Sequence, residues 1–250
     1  MNVDAYLARI GYHALRDPTP GTLRRLHRAH MQSVPFENLD IHAGRPIVLE
    51  ESALFDKIVG RRRGGFCYEL NGLFSALLRE LGFRVTRLSA GVLNDDGSFG
   101  PDFDHMILLV ELEDRWLADV GFGDSFCEPL LLDVRGHQVR DGRVYRVTHD
   151  GTQGTMLSHR DGASTPSGYR FDFDGHSFAD YAAMCAYHQT SPESPFTRKR
   201  VCSRVTPTGR ITLSGTRLIR TEHGRRQERE LSEDEWGRAL KGHFGIDPEG

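Results

Sequence analysis

Gly82 divides this sequence by hydrophobic period, and that division limits the possible folds more than any other feature. Ahead of it, Leu70, Leu73, Phe74, Leu77, Leu78 and Leu81 recur along one helical face, and Gly82 stands where a C-terminal cap belongs. Beyond it the period falls to two. FRVTRLSAGVL, HMILLVEL, RWLADVGF, RVYRVTH, GYRFDFD, RVCSRVTP and RITLSGTRLIRT are β-branched or aromatic runs parted by Gly, Asp and Pro turns, the pattern of antiparallel strands. Further upstream, Tyr6, Leu7 and Ile10, then Leu23, Leu26 and Met31, predict two short amphipathic helices, with Thr19 or Thr22 capping the second. The prolines and glycine of VPFENLDIHAGRPIVL predict an ordered loop over a core. FADYAAMCAYHQ and SEDEWGRALKGHFG predict helices set among the strands, the second opened by a capping box of Ser232 and Glu235. Asp150 to Ser167 is polar and glycine-rich and predicts a loop or a weak hairpin. Helices first and sheet after make an α+β protein.

With 250 residues, 38% of them hydrophobic, the chain can bury a sizeable core. A net charge of -3 provides no general attraction to nucleic acid or anionic membrane, so neither is an expected partner. MNVDAYLARIGYH lacks an uninterrupted apolar region and does not read as a secretory leader, and no run approaches the roughly 18 apolar residues of a membrane span. Cys67, Cys127, Cys185 and Cys202 are widely spaced and form no CxxC pair, so free thiols in a reducing cytoplasm are expected.

One of those cysteines has a chemically suggestive setting. Cys67 follows Gly64-Gly65-Phe66 and immediately precedes the strongest helix, where unpaired amides and the positive end of the helix dipole favour a thiolate. A glycine turn also lets a ligand approach the backbone and an oxyanion meet its N–H groups. For GGFC alone, a buried structural cysteine is the simpler reading. A base changes that balance. His105 opens one apolar run and Asp119 lies near the end of the next. If the runs pair through Leu112-Glu113-Asp114, Glu111 faces Arg115, and His105 and Asp119 share a face about 7–8 Å apart at the backbone. A two-residue loop would put them on opposite faces, and no glycine decides between the registers. In the first register His105 takes the thiol proton and Asp119 fixes the imidazole tautomer.

RGGFCYELNGLF, DHMILLVEL and DVGFG resemble, in order and interval, the active-site series of the arylamine N-acetyltransferases. YLARIGY and VPFENLDIHAGRPI upstream, with SPFTRKRVCSRVTPTGRITLSG and ELSEDEWGRALKGHFGI downstream, are similar to the same family. The resemblance implies an N-terminal helical bundle with the nucleophile (1–83), a central antiparallel β-barrel with the histidine and aspartate (84–177), a connecting helix and loop (178–199) and a C-terminal α/β lid (200–250), around a cysteine-protease-like catalytic core. It implies Cys67 as the acetylated nucleophile, His105 as base and Asp119 as orienting carboxylate. The donor would be acetyl-CoA as co-substrate, with no tightly bound cofactor and no metal. The acceptor would be an arylamine, hydrazine or N-hydroxyarylamine, as in bacterial N-hydroxyarylamine O-acetyltransferases, in a ping-pong reaction.

The same resemblance suggests supporting roles. Phe36, Phe66 and Phe196 would wall a flat acceptor, Gly121 and Gly123 would let pantetheine pass close to backbone, and Glu37 with Arg63 would hold the nucleophile loop as a buried charge pair. Plain packing, turn geometry and a solvated surface pair are the alternatives. Arg61-Arg62-Arg63 and Arg198-Lys199-Arg200 are candidate basic surfaces for the coenzyme phosphates. Asp124-Ser125-Phe126-Cys127 departs from the family, many of whose members carry a second glycine and a proline there. Three rival readings stand beside the transferase: a cysteine peptidase or transglutaminase-like enzyme, an amide synthase closing a polyketide on an arylamine, and a zinc site built from Cys, His and Asp.

Overall fold

Seven N-terminal residues, Val3–Arg9, form α1, with the Asn2 side chain accepting the Ala5 N–H at 3.0 Å. α2 (Pro20–Ser33) is capped by Thr19, whose hydroxyl accepts the Thr22 N–H, and Pro20 occupies a first-turn position that needs no donor. α3 (Leu39–His42) and α4 (Glu51–Phe55) are short, and α4 runs into a π turn at Asp56–Gly60. The computed structural model describes residues 1–124, 126–159 and 166–247. α5 (Cys67–Glu80) is the predicted helix and ends at Gly82, whose φ of +86 suits glycine. It is more than one-faced: every residue from Cys67 to Leu78 is buried, because helices cover one side and strands the other. The predicted loop VPFENLDIHAGRPIVL holds a two-residue strand, β1 (Phe36–Glu37), as well as α3, both too short to show a period.

The central sheet contains β2 (Arg84–Val92), β3 (His105–Glu111), β4 (Arg115–Ala118), β5 (Leu130–Leu131), β6 (His137–Arg140), β7 (Arg143–His149), β8 (Gln153–His159) and β9 (Ser167–Asp172). Its order is β5-β4-β3-β2-β9-β8-β7-β6, antiparallel throughout and curled into a nearly closed barrel. Leu88, Ile107, Leu117, Tyr145, Met156 and Phe171 fill one face, while Leu108, Val110, Trp116 and Ala118 join the core around α5 on the other. β3 is therefore covered on both faces, which is why HMILLVEL reads as a continuous apolar run without alternation. A side chain spans the seam between the sheet's two edges. Gln138 of β6 accepts the Leu131 N–H at 2.9 Å and donates to the Leu131 carbonyl at 2.7 Å.

A 3-10 turn (Phe178–Tyr181), α6 (Ala182–Thr190) and α7 (Pro195–Arg198) connect to a second sheet of order β1-β10-β11-β12-β13. Its strands are β10 (Val201–Thr206), β11 (Gly209–Ser214), β12 (Arg217–Glu222) and β13 (Arg225–Glu230), and α8 (Glu233–Phe244) packs on it through Trp236, Leu240 and Phe244. RITLSGTRLIRT, read above as one run, is two strands turning at Gly215, where φ is +60. β13 escaped prediction because all of RRQERE is exposed and charged or polar. Asp150 to Ser167 includes the regular strand β8 as far as His159; the stretch 160–165 lies outside the described residues. Gln138→Ala would leave the Leu131 N–H and carbonyl without partners at the seam. We expect a loss of about 1–3 kcal/mol in urea unfolding; an unchanged midpoint would mean the barrel closes without this clamp.

Candidate active site

The loop that presents Cys67 is shaped by close backbone contacts and a buried set of charges. A Cβ at Gly64 would sit 2.0 Å from the Pro35 carbonyl oxygen, and one at Gly65 would sit 2.7 Å from Glu69 Oε2, so neither position has room for a side chain. Glu37 accepts from the Gly64 and Leu39 amides at 3.2 and 2.8 Å and from Arg63 at 3.1 and 3.2 Å. Glu69 accepts the Phe66 N–H at 3.1 Å, and Lys57 lies 2.7 Å from both Glu69 and Asp40. Arg63 closes the set on Asp40 at 3.1 Å. Three carboxylates and two cations are thus withdrawn from water together. Burial opposes the charged state of Lys57, but Glu69, Glu37 and Asp40 outweigh it and raise its pKa; burial likewise opposes ionisation of Asp40, which Lys57 and Arg63 hold below the usual carboxylate range. For Glu69, burial wins and pushes the carboxyl up despite Lys57. Arg9 completes the support by donating to the carbonyls of Ser33, Ile58, Arg62 and Arg63, across the point where Arg62 adopts a φ of +55.

Cys67 is the first residue of α5, and its sulfur lies against the Met106 main-chain amide. The helix terminus does not by itself give a thiolate. Burial and the nearby Asp104 carboxylate push the thiol well up, against the pull of the Met106 amide. Ionisation here needs a base.

The β3–β4 hairpin turns through Leu112-Glu113-Asp114 with Glu111 opposite Arg115 and Leu108 opposite Ala118, the first of the two registers weighed above. His105 Nε2 lies 2.9 Å from Asp119 Oδ2, and both side chains are buried. The other carboxylate oxygen, Oδ1, accepts from Asn71 Nδ2 at 2.8 Å and from the Gly121 N–H at 2.9 Å. Burial opposes the Asp119 charge, yet His105, Asn71 and the Gly121 amide hold its pKa below the usual range. Asn71 also accepts the Val120 N–H at 2.9 Å and donates to the Met106 carbonyl at 2.6 Å. Sequence reasoning missed Asn71, although its spacing of four from Cys67 puts it on the same helix face. It also missed Tyr169, whose ring lies 5.3 Å from His105 and whose buried hydroxyl is raised by burial and by Asp119.

Phe196 meets Phe66 at 5.6 Å and Phe36 at 6.2 Å between ring centroids, so the three phenylalanines lie together beside Cys67. A further ring joins them. His188 packs edge-on to Phe196 at 5.0 Å, its Nδ1 is 3.1 Å from Ser194 Oγ and its Nε2 is 3.2 Å from Asp104 Oδ1. Ser194 in turn accepts the Phe196 N–H, which ties this aromatic group to the residue preceding His105. A Cβ on Gly121 would come within 2.8 Å of Cys67 Cα, and one on Gly123 within 3.4 Å of the Phe36 ring. Arg63 does not belong to a basic surface, because it is buried against Glu37 and Asp40; Arg61 and Arg200 are paired with Asp56 and Glu233. Ser125, in the departing stretch, lies outside the described residues. Among the described residues no group of three His, Cys, Asp or Glu side chains converges as metal ligands, and no helix is long and apolar enough to cross a membrane.

A family model described as N-acetyltransferase matches residues 20–249. The chain is 36% identical to an arylamine N-acetyltransferase / N-hydroxyarylamine O-acetyltransferase of Salmonella typhimurium over 223 residues, covering 88% of this chain and 79% of that one. It is also 36% identical to an arylamine N-acetyltransferase of Mycolicibacterium smegmatis over 259 residues, 99% of this chain and 92% of the relative. Among solved structures, the Mycobacterium marinum arylamine N-acetyltransferase in complex with CoA superposes with a TM-score of 0.90 at 32% identity, covering 98% of this chain and 93% of that one.

Lys57→Met would strip Glu69 of its paired cation and leave Glu37 and Asp40 to Arg63, with Arg45 reaching Asp40 at 3.8 Å. We expect about 3–5 kcal/mol of lost stability at neutral pH, shrinking as pH falls and a carboxyl takes up a proton. Urea midpoints equal to wild type at pH 7 would show that the charges do not depend on one another.

Proposed function

The chain belongs to the arylamine N-acetyltransferase family, and from that premise we propose that it moves acetyl from acetyl-CoA, through a Cys67 thioester, to an arylamine, hydrazine or N-hydroxyarylamine. The observation that carries the reading is the buried 2.9 Å contact of His105 with Asp119, one residue from the Met106 amide that touches the Cys67 sulfur. The CoA-bound Mycobacterium marinum relative supports the donor. With Nε2–H committed to Asp119, the Nδ1 lone pair of His105 is the base for the thiol proton. Cys67 sulfur then attacks the thioester carbonyl. The tetrahedral adduct collapses with loss of coenzyme A, whose sulfur takes the proton from His105. In the second half, the acceptor nitrogen or oxygen attacks the Cys67 thioester, His105 removes its proton, and the proton returns to the Cys67 sulfur as the acetylated product leaves. Exchange of one thioester for another is nearly isoenergetic, so the enzyme needs no external energy source for the first half.

The roles of the surrounding residues follow from their placement. Phe36, Phe66 and Phe196 would stack the acceptor's flat ring. Gly121 and Gly123 would keep side chains out of the coenzyme's path, and Glu37 with Arg63 would keep the nucleophile loop in place. Four free, buried thiols suit a reducing cytoplasm. A peptidase would use the same three residue types; the family match across residues 20–249 favours the transferase.

Brief exposure to acetyl-CoA should add one acetyl group, detected by intact mass spectrometry and absent from Cys67→Ala. Persistent acetylation of that variant would remove Cys67 from the mechanism. Asp119→Asn should fold yet acetylate Cys67 about 10³–10⁴-fold more slowly, through loss of the productive imidazole tautomer; wild-type rates in stopped-flow measurement of coenzyme A release would count against the triad.

A further inference from the structure

A second histidine lies beneath Asp119, and the chemistry above makes no use of it. His27, on α2, is fully buried, stacked on Phe126 with centroids 5.7 Å apart and edge-on to Phe74 at 6.0 Å. Its Nε2 lies 3.1 Å from the Asp119 main-chain nitrogen, and its Nδ1 lies 3.0 Å from the Cys127 carbonyl oxygen. A main-chain N–H can only donate and a carbonyl can only accept. The two partners therefore admit one state of the ring, neutral with its proton on Nδ1.

We infer that His27 is a positioning residue for the proposed triad, holding the Asp119 backbone so that the carboxylate meets His105, and doing so only as a neutral ring. The inference rests on the triad reading. Asp119 is the first residue past β4, where the strand ladder no longer engages its N–H, so His27 supplies the acceptor that a buried donor needs. The following amides are held as well, that of Val120 by Asn71 and that of Gly121 by the Asp119 carboxylate. His27 thus fixes the N-terminal end of a three-residue turn whose geometry aims the carboxylate.

The ionisable groups facing the ring agree with a neutral state. Asp119 and Glu128 favour a proton on His27, and His30 stands one turn along α2, but burial dominates and lowers the His27 pKa to about 4. The neighbouring Cys127 thiol is itself pushed up to about 12, mainly by burial. A proton on Nε2 would abolish the acceptor for Asp119 and set a second cation against a carboxylate that serves His105.

Two variants separate hydrogen bonding from bulk. His27→Leu fills the space but bonds to neither main-chain group; His27→Gln can accept from Asp119 and donate to Cys127 without titrating. The readout is the pH profile of Cys67 alkylation by iodoacetamide, alongside Cys67 acetylation by acetyl-CoA. We expect His27→Leu, folded by circular dichroism, to alkylate 10- to 100-fold more slowly at pH 7 with its midpoint shifted toward that of an ordinary thiol, and His27→Gln to recover most of the loss. If the leucine variant does not fold, His27→Asn, too short to span both groups, takes its place. A wild-type profile in the leucine or asparagine variant, or equal loss in the glutamine variant, would overturn the inference. A wild-type Cys67 with no reactivity above that of a free thiol would instead sink the triad reading itself.

The same ring should leave a signature in stability. The unfolded histidine takes its proton near pH 6.5, whereas the folded one resists until about pH 4. Stability from His27 is therefore present above pH 6.5 and drains as pH falls toward 4, raising the unfolding constant by about two orders of magnitude across that window. His27→Gln should lack this component; an identical pH dependence in the two proteins would contradict the requirement for a neutral ring.

Discussion

Everything near Cys67 depends on five charges that have left water together. Glu37, Asp40, Lys57, Arg63 and Glu69 come from β1, α3, the π turn, the loop ahead of Cys67 and α5, segments with no regular pairing in common apart from the Phe36–Gly65 bridge. Their mutual attraction, together with the amides that Glu37 and Glu69 accept, fixes the path of residues 63–66 into the helix. A desolvated carboxylate is tolerable only while its partners stay in place, so the set is cooperative by nature. Arg9 extends it without adding a carboxylate: four main-chain carbonyls serve as its acceptors, while burial, helped by the nearby Arg62 charge, lowers its pKa to about 10.

The second constraint comes from the sheet. Because β3 is buried on both faces, His105 at its start is delivered into the junction between the barrel and α5, with no solvated side to escape to. The hairpin register then settles where Asp119 falls, and Asn71, one turn along from Cys67, bonds to the carboxylate and to the carbonyl of Met106. The Cys67 helix, the His105 strand and the Asp119 turn are joined through a single amide side chain.

Much of this was legible in residue order, for identifiable reasons. α5 announced itself by period and cap, and α8 by the Ser232 and Glu235 box. Cys67, His105 and Asp119 could be named as candidates from their positions beside apolar runs, but their register could not, because the three-residue β3–β4 turn contains no glycine. β13 was invisible because an exposed edge strand of charged residues carries no hydrophobic alternation. His27, Asn71 and His188 were missed for a different reason. Each acts through atoms contributed by residues far along the chain, 92 positions apart for His27 and Asp119, and no local pattern encodes such a partner. The basic run 61–63 offered two readings of Arg63, a coenzyme-facing cation and the buried partner of Glu37; Arg63 turns inward to Glu37, while Arg61 meets Asp56 at the surface.

Gly121 resting on the Cys67 main chain, and Gly64 on the Pro35 carbonyl, have a mechanical consequence. Where side chains meet, an error in one position can be absorbed by a change of rotamer. Where backbone meets backbone there is no such slack, and the spacing is set by atomic radii alone. The Asp119 turn, the Cys67 helix and the entering loop are therefore referenced to one another like machined faces bolted without shims. Within the outer sheet only β12 and β13 lie well away from those faces, since β1 at its other edge is bonded directly to the entering loop.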